Sequence, residues 1–414
     1  MSSQAPATPT LRSLGLSVYV PTFLFAVGQG AVIPIVALAA RDQGASLALA
    51  GFIVALRGIG VLAFDVPAGW LVSKFGEQKA MVVGTILVIV ALAGSAFSPG
   101  IWPFAVFTFL MGCGWSVWLL ARLSYVADVM PVNLRGRALS TLGGVNRVGN
   151  FVGPFLGAAV AIWAGTEGAY YVHLVTAVLA CGLLIVLIRG ESNFPAAQHE
   201  HVNFTKVVSE NARVFMTAGI GVTAIGALRA TRQGVLPLWG DHIGLDESAI
   251  SLIFGISMGM EMMLFYPAGT VMDKWGRKAV ALPCLVLMAL GMSLVPLTGG
   301  FWSMVLVGLL VGFGNGLGSG IVMTLGADFS PAAGRAQFLG AWRVCGDIGT
   351  AGGPLIIAAV TGIVSLAAAS VSMGGIGILG AALMFFLMPE TLSRDAPLVP
   401  LEADGPETSA SVAP

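Results

Sequence analysis

The chain has 414 residues, of which 57% are hydrophobic and 10% are charged, and its 20 basic residues balance its 20 acidic residues. An ordinary soluble domain is about 25% charged, so water is not the solvent for most of this surface. The zero net charge and the lack of a lysine-rich tail in the sequence argue against a nucleic-acid partner.

The two ends of the chain are polar. Residues 1–15 form a short lead with one arginine, Arg12, and the apolar run behind it is too long for a signal-peptide core. We therefore predict a cytoplasmic N-terminal tail that is not cleaved. Residues 389–414 are rich in proline and acidic residues and poor in large apolar residues, which predicts a disordered tail.

Twelve long apolar segments lie between these tails. A helix needs roughly 20 residues to cross a bilayer core of about 30 Å, whereas strands of a membrane barrel alternate apolar and polar residues. These segments are continuously apolar, so they predict an all-α integral membrane protein with twelve transmembrane helices. The predicted spans are 16–40, 47–72, 80–97, 102–128, 139–164, 170–189, 213–240, 247–272, 279–298, 302–327, 337–362 and 366–388.

The longest polar interruption, 190–212, predicts a linker between two six-helix halves, 16–189 and 213–388. Basic residues gather at one set of helix ends, which face the cytoplasm in bacterial-type membrane proteins, and only Arg41 lies at the other set. We therefore predict a cell-membrane protein with a cytoplasmic linker and both termini in the cytoplasm. The basic residues at the cytoplasmic ends are Arg12, Lys74, Lys79, Arg135, Arg137, Arg189, Lys206, Arg213, Lys274, Arg277, Lys278, Arg335 and Arg394.

The second half repeats the first at an offset of 200 residues. Pro67-Ala68-Gly69 matches Pro267-Ala268-Gly269, and Gly153-Pro154 matches Gly353-Pro354. Trp102, Gly112, Asp128 and Arg135 match Trp302, Gly312, Asp328 and Arg335. Because each half has an even number of spans, the halves are parallel repeats about an axis along the membrane normal.

The loop after the second span of the second half carries a glycine, an acid and basic residues around another glycine, whereas the first half keeps the glycines and two lysines. These residues are Gly269, Asp273, Lys274, Gly276, Arg277 and Lys278, and Gly69, Lys74, Gly76 and Lys79. This motif resembles that of the major facilitator superfamily, and the resemblance covers nearly the whole chain, from Leu16 to Met388. It implies two pseudo-symmetric six-helix bundles and a latch that pairs loop charges with neighbouring helix ends in one conformation. In the first half, Ser73 and Glu77 depart from the motif and make the latch doubtful there. The predicted cytoplasmic gate consists of Gly69, Lys74, Gly76, Gly269, Asp273, Lys274, Gly276, Arg277, Asp128 and Asp328.

The fifth span carries a second signature, Gly149-Asn150-Phe151-Val152-Gly153-Pro154-Phe155-Leu156-Gly157-Ala158, which resembles the antiporter motif of the same family. Its small residues also allow close helix packing without any coupling role. The arginine that the antiporters carry four residues before Gly112 is replaced by Thr108. The multidrug antiporter reading is correspondingly weaker.

Ionisable residues inside the spans are functional candidates, because each costs roughly 2.5–3.5 kcal/mol near the bilayer centre. Those clearly within spans are Arg57, Arg122, Arg147, Arg229, Arg232, Arg343, Asp65, Glu261 and Asp347. The family resemblance implies that Arg147 faces Glu261 and that Arg57 lies near Asp347. Arg343, one turn from Asp347, is an alternative partner. A carboxyl group that loses its partner can bind a proton, so we predict these five residues as the proton-coupling set, with static ion pairs as the alternative.

A second set predicts the substrate site. Arg229 and Arg232 share one helix face without an acid within a turn in sequence, which suits a carboxylate or phosphate group. Snorkelling or pairing with another helix is the alternative. The predicted substrate-binding residues are Arg229, Arg232, Gln233, Gln29, Arg122, Trp115, Trp118 and Asn315. The tryptophans could instead face lipid.

The sequence gives no sign of a metal, a cofactor or an enzyme site. The cysteines lie in apolar spans without a CxxC spacing, and the linker histidines, His199 and His201, lack further ligands. The glycine-rich segment 312–318 has no Lys-Ser/Thr and follows no strand, so it is not a phosphate loop. The cysteines are Cys113, Cys181, Cys284 and Cys345.

We therefore predict a monomeric secondary transporter that moves a small molecule by alternating access. Proton coupling and an organic-anion substrate follow from the intramembrane charges. A multidrug efflux antiporter and a transporter-like receptor that does not transport are the alternatives.

Overall fold

The computed structural model describes residues 14–187, 204–331 and 334–392. Within these ranges the chain is helical without strands, and twelve helices are long and apolar enough to cross a membrane, as predicted. Most of the predicted linker, including His199 and His201, lies outside the described residues, as do Arg12, Arg189 and Arg394. The helices are α1 Gly15–Val32, α2 Leu47–Phe75, α3 Glu77–Ala96, α4 Ile101–Val129, α5 Leu134–Ala164, α6 Glu167–Leu187, α7 Ala212–His242, α8 Glu247–Trp275, α9 Lys278–Leu297, α10 Phe301–Phe329, α11 Gln337–Ile363 and α12 Leu366–Leu387.

The first predicted span, 16–40, is not one continuous helix. α1 ends at Val32, and a short helix, Val36–Asp42, continues it. Pro34 lies in the interruption and has no backbone N–H for the helical ladder. Part of the predicted linker is also helical, since Phe204–Glu210 forms a short helix before α7.

Several helices extend beyond the predicted apolar runs. α2 ends at Phe75 and α3 begins at Glu77, so that only Gly76 separates them. Gly76 has φ of 81°, a conformation that an L side chain rarely adopts. A helix can continue past the apolar run into polar surroundings, so hydropathy alone ends α2 at 72 and starts α3 at 80, three residues short in each case.

Equivalent backbone contacts recur in the two halves. A Cβ added to Gly112 of α4 would lie less than 3.0 Å from the carbonyl oxygen of Arg57, and one added to Gly312 would meet that of Ser257 in the same way. The two glycines are 200 residues apart, and so are the two carbonyls that they approach. The predicted repeat is therefore a repeat of the packing itself.

The halves meet along two helix pairs, α2 with α11 and α5 with α8. Within the halves, α4 packs on α2 and α3, and α10 packs on α8 and α9. Large apolar side chains such as Trp163 and Ile363 are exposed on the outside of the bundle, where lipid tails would cover them. The interfaces between the halves carry ion pairs instead.

We call the helix ends that carry Lys74 and Lys274 the basic end, and the other set the opposite end. At the opposite end Arg41 Nε lies 3.3 Å from Asp241 Oδ2 and links the two halves. Arg41 and Asp241 are 200 residues apart, so they are equivalent positions of the repeat. Equivalent positions can touch only beside the pseudo-twofold axis, and this pair therefore marks where the axis leaves the bundle.

Candidate functional site

The interface between α2 and α11 places one arginine between two acids. Arg343 donates from Nη2 to Oδ1 of Asp65 at 2.9 Å and from Nε to Oδ2 of Asp347 at 3.4 Å. Ser116 of α4 adds a hydrogen bond to Oδ1 of Asp65 at 2.5 Å. Because Asp65 belongs to the first half and Arg343 to the second, this cluster ties the halves together.

The predicted proximity of Arg57 to Asp347 is wrong, whereas the alternative partner Arg343 is confirmed. Arg57 donates from Nη1 to Oε1 of Gln233 on α7 at 3.5 Å instead. Arg57 lies eight residues before Asp65 on α2, which is about 12 Å further along the helix axis. Gly58, the next residue of α2, packs against Thr350 and Ala351 of α11, which places Arg57 about one helical turn away from Asp347, the acid of α11.

The predicted pair of Arg147 and Glu261 is confirmed at the interface between α5 and α8. Arg147 Nη1 lies 3.2 Å from Glu261 Oε1, and a second arginine, Arg232 of α7, donates from Nη2 to Oε2 at 2.8 Å. The Arg147 guanidinium also lies over the ring of Phe265 at 4.5 Å. Glu261 therefore connects one helix of the first half with two helices of the second.

Arg229 and Arg232 are not the isolated pair that their sequence surroundings predict. Arg232 is 5% exposed and holds Glu261. Arg229 donates from Nε to Oδ1 of Asn315 at 2.6 Å and from Nη2 to the carbonyl of Gly318 at 2.8 Å. These partners lie on other helices, where sequence spacing could not find them. Both arginines therefore already hold protein partners.

An aromatic stack occupies the middle of the first half. Phe25 of α1 stacks on Trp118 of α4 with centroids 4.3 Å apart, and Trp115 lies 5.8 Å from Phe25. Trp118 is 1% exposed, so the lipid-facing alternative is wrong for it. The guanidinium of Arg122 lies over the Trp118 ring at 4.1 Å. Arg122 is 4% exposed, and among the described residues its Nε and Nη1 have no hydrogen-bond partner.

Two residues near this stack were missed by the sequence reasoning. His173 of α6 meets Phe25 edge-on at 5.1 Å, and Tyr170 meets Phe104 at 6.0 Å. Both are almost completely buried, and their polar atoms lack partners within the described part of the chain. A histidine inside an otherwise apolar span was the available signal. The buried amide of Gln29 lies in the same region and lines a small cavity with His173.

The basic end of the second half carries the charge cluster that the family motif implies. Arg277 donates from Nε to Asp328 Oδ2 at 2.7 Å, whereas Asp273 and Lys274 are exposed. Asp328, rather than the loop acid Asp273, therefore holds the arginine. The hydrogen bond to Asp328 raises the pKa of Arg277 above its ordinary value. Gly276 supplies the turn with φ of 100°.

The corresponding loop of the first half shows no arginine–carboxylate pair among its described residues. Lys74 Nζ lies over the ring of Trp70 at 4.6 Å, and the Ser73 hydroxyl donates to the Trp70 carbonyl at 2.9 Å. Asp128 lies beside another acid, Glu77, and near Arg135, which is not part of the motif loop. This outcome agrees with the departure at Ser73 that made the latch doubtful. Gly69 and Gly269 both lie in their helices with little packed against them.

Glu390, which follows α12, extends the cluster at Arg277. Its carboxylate accepts hydrogen bonds from the backbone N–H of Arg277 at 2.8 Å and of Lys278 at 3.0 Å. Burial alone would raise the pKa of Glu390, but these donors, with those of Leu392 and Thr391, hold it below its ordinary value. The chain after α12 is thereby fastened to the loop between α8 and α9.

We expect Glu390→Gln to lower the thermal stability of the protein at neutral pH. A carboxyl with a depressed folded-state pKa contributes stability above its unfolded pKa and loses it as the pH falls through the folded pKa. The difference in melting temperature between wild type and Glu390→Gln should therefore shrink on acidification below the usual range of a glutamate. Glu210→Gln, which changes an exposed acid on the short helix Phe204–Glu210, is the control and should show little difference. A difference that grew as the pH fell would contradict the role given to Glu390.

Comparisons with known proteins agree with the family resemblance of the loop motif. The family model described as Major Facilitator Superfamily matches residues 18–231 and again residues 218–412. A relative from Lactococcus lactis subsp. lactis (strain IL1403), a "Multi-drug resistance efflux pump PmrA homolog", is 28% identical over 333 residues, which cover 75% of this chain and 80% of the relative. The uncharacterized MFS-type transporter Rv2456c of Mycobacterium tuberculosis (strain ATCC 25618 / H37Rv) is 24% identical and covers 83% of this chain and 85% of its own.

Solved structures share the fold at low sequence identity. The D-xylose-proton symporter matches with a TM-score of 0.71 at 18% identity, over 92% of this chain and 99% of the symporter. A POT family transporter in complex with a thioalcohol-conjugated peptide matches with a TM-score of 0.77 at 12% identity, over 90% of this chain and 95% of its own. The twelve-helix arrangement with two bundles is therefore one that transport proteins of different cargo share.

Proposed function

Because the chain belongs to the major facilitator superfamily and is a multi-pass secondary transporter of a small molecule, we propose that its cargo is an organic anion and that protons drive its movement. The proposal of an anionic cargo rests on Arg122. A buried guanidinium without an acidic partner is costly, and an anionic group would satisfy it with paired hydrogen bonds. The adjacent rings of Trp115 and Trp118 offer a surface for the apolar part of such a molecule.

The proposal that protons drive transport rests on the ion pairs that connect the two halves. Glu261 holds Arg147 across the α5–α8 interface, and Asp347 shares Arg343 with Asp65 across the α2–α11 interface. A proton on Glu261 would neutralise the carboxylate and weaken its hold on Arg147. Protonation thus loosens one half from the other, which is the step that alternating access requires.

We further assign the basic end to the cytoplasm, following the excess of lysine and arginine there. In the described conformation Arg41 and Asp241 join the halves at the opposite end, and Ser248 of α8 donates to the carbonyl of Ala158 of α5 at 3.2 Å. These contacts support a state that is closed toward the outside. Both termini would then lie in the cytoplasm.

A panel of substrates in proteoliposomes with an imposed pH gradient tests this proposal. We expect flux of small organic acids to depend on the gradient and lipophilic cations to compete poorly. The multidrug pump among the relatives favours the second candidate, drug export in exchange for protons. Gradient-driven flux of lipophilic cations without flux of organic acids would establish that candidate and overturn the anion proposal.

We expect Arg122→Gln to weaken binding of the transported organic anion by about 10- to 100-fold, because hydrogen bonds to charged groups contribute roughly 1.5–3 kcal/mol. The measurement is the concentration of the anion that half-saturates flux. Arg137→Gln is the matched control, since Arg137 is exposed at the basic end and its loss removes the same charge. Equal effects of the two substitutions would show that Arg122 acts only through overall charge.

A further inference from the structure

A small cavity lies inside the first half rather than between the halves. Its walls come from α1, α2, α3, α4 and α6, and all of them belong to the first six helices. The volume is about 10 Å³, which is room for about one water molecule. Polar groups of Gln29, Arg57 and His173 line it together with apolar side chains, among them Phe25 and Trp115.

The polar groups around this cavity are mainly hydrogen-bond donors. His173 is 2% exposed, and neither ring nitrogen has a partner among the described residues. Arg57 forms no ion pair within the described ranges, and its recorded hydrogen bond is the 3.5 Å contact with Gln233. The hydroxyl of Tyr170, 1% exposed and without a partner among the described residues, lies one turn before His173 on the same helix.

We propose that this cavity binds one small inorganic anion of the size of chloride. The half-buried guanidinium of Arg57 has no counter-charge among the described residues, and an anion beside it would offset the cost of its partial burial. The imidazole N–H of His173 and the amide N–H₂ of Gln29 are further donors that can turn toward an anion. The apolar remainder of the wall excludes competing water and strengthens the electrostatic attraction.

The size of the cavity decides between a free ion and the anionic group of the cargo. A carboxylate with its attached carbon chain needs more space than one water molecule occupies. The cargo proposed above would lie against Arg122, which is on the far side of Trp118 from Phe25. The two sites therefore use different arginines, although Trp115 borders both, and the inference made here goes beyond the proposed function.

Arg57 gives the site a connection to the second half. Its Nη1 reaches Gln233 of α7, while Arg57 itself lines the cavity within the first half. An anion in the cavity would hold the guanidinium in place and thereby fix the donor that faces Gln233. Occupancy of the cavity is thus expected to influence how the halves fit together.

The test uses the purified full-length protein in detergent, without any transport substrate. Melting temperature is measured while sodium chloride replaces sodium methanesulfonate at constant ionic strength. A ligand that binds the folded protein raises its stability according to its concentration and affinity. We expect a saturable rise with chloride and with bromide. Methanesulfonate is too large for the cavity and serves as the reference salt.

Substitutions show whether the chloride-dependent rise in melting temperature arises at this cavity. Arg57→Gln should abolish the saturable response, and Arg57→Lys, which retains the charge but lacks the planar fork, should shift its midpoint to about tenfold higher chloride. His173→Phe keeps the aromatic contact with Phe25 and should also weaken the response. Arg137→Gln, which removes an exposed arginine, should leave the midpoint unchanged.

Bromide quenching of tryptophan fluorescence gives a second measurement that does not depend on stability. Trp115 lines the cavity, so wild type should show a saturable quenching component that Trp115→Phe and Arg57→Gln both lose. An identical melting response to chloride and methanesulfonate, or a chloride response that survives Arg57→Gln, would overturn the proposal. Neither result would bear on the flux of organic anions, so failure here and failure of the proposed function are distinguishable.

Discussion

We expect Glu261→Gln to abolish transport driven by a pH gradient while exchange of substrate across the membrane continues. The carboxylate holds Arg147 of the first half and Arg232 of the second, at 3.2 and 2.8 Å. A glutamine cannot exchange a proton, so the switch between the held and the released state is lost. It still offers an oxygen to the arginines, which preserves the site well enough for exchange.

The same substitution should also lower stability, because it leaves two guanidinia without a counter-charge. Removing one partner of a buried pair costs about 3–5 kcal/mol, and glutamine, which retains one acceptor, should fall below that range. Proteoliposome flux with and without a pH gradient measures the coupling, and Glu247→Gln at the start of the same helix is the control. Unchanged gradient dependence in Glu261→Gln would exclude this residue from coupling.

The second large effect is expected from Gly112→Val. The α carbon of Gly112 approaches α2 so closely that an added Cβ would lie less than 3.0 Å from the carbonyl of Arg57. Backbone cannot give way as a flexible side chain can, so α4 must move away from α2. Overpacking of this kind costs about 1–3 kcal/mol or more, and the melting temperature in detergent should fall accordingly.

The repeat supplies the matched comparison. Gly312→Val should be similarly destabilising, since Gly312 approaches Ser257 as Gly112 approaches Arg57. Gly143→Ala should cost little or even stabilise α5, because nothing lies within 4 Å of the added carbon. If both valine variants melted like Gly143→Ala, the close helix approach would be refuted.

The fold could be predicted from the sequence because its two signals, the apolar spans and the internal repeat, each extend over many residues. Each span extends over some twenty residues, and the 200-residue repeat is carried by many matches along the chain, so single errors do not matter. The pair of Arg147 and Glu261 was accessible for a related reason. The family resemblance named the neighbouring helices, and depth along those helices could be counted from their ends.

The partners of the other arginines depend on the direction in which each side chain points from its helix. A helix turns by about 100° per residue, so an uncertainty of two residues in the bounds can point a side chain at a different neighbour. Arg229 therefore looked free in the sequence, although it contacts Asn315 and Gly318 on α10. His173 differs from these arginines because a neutral imidazole carries no formal charge, so the charge that marks the other buried candidates in the sequence is absent there.

The contact between Arg41 and Asp241 constrains how such a chain could have arisen. Beside the pseudo-twofold axis, a residue faces its own copy, so a protein built from two identical halves would place two like charges against each other there. Like charges at this distance repel, and an assembly of identical subunits could not form this ion pair. The bond that joins the halves at the opposite end is therefore available only after gene duplication has been followed by divergence of the two copies.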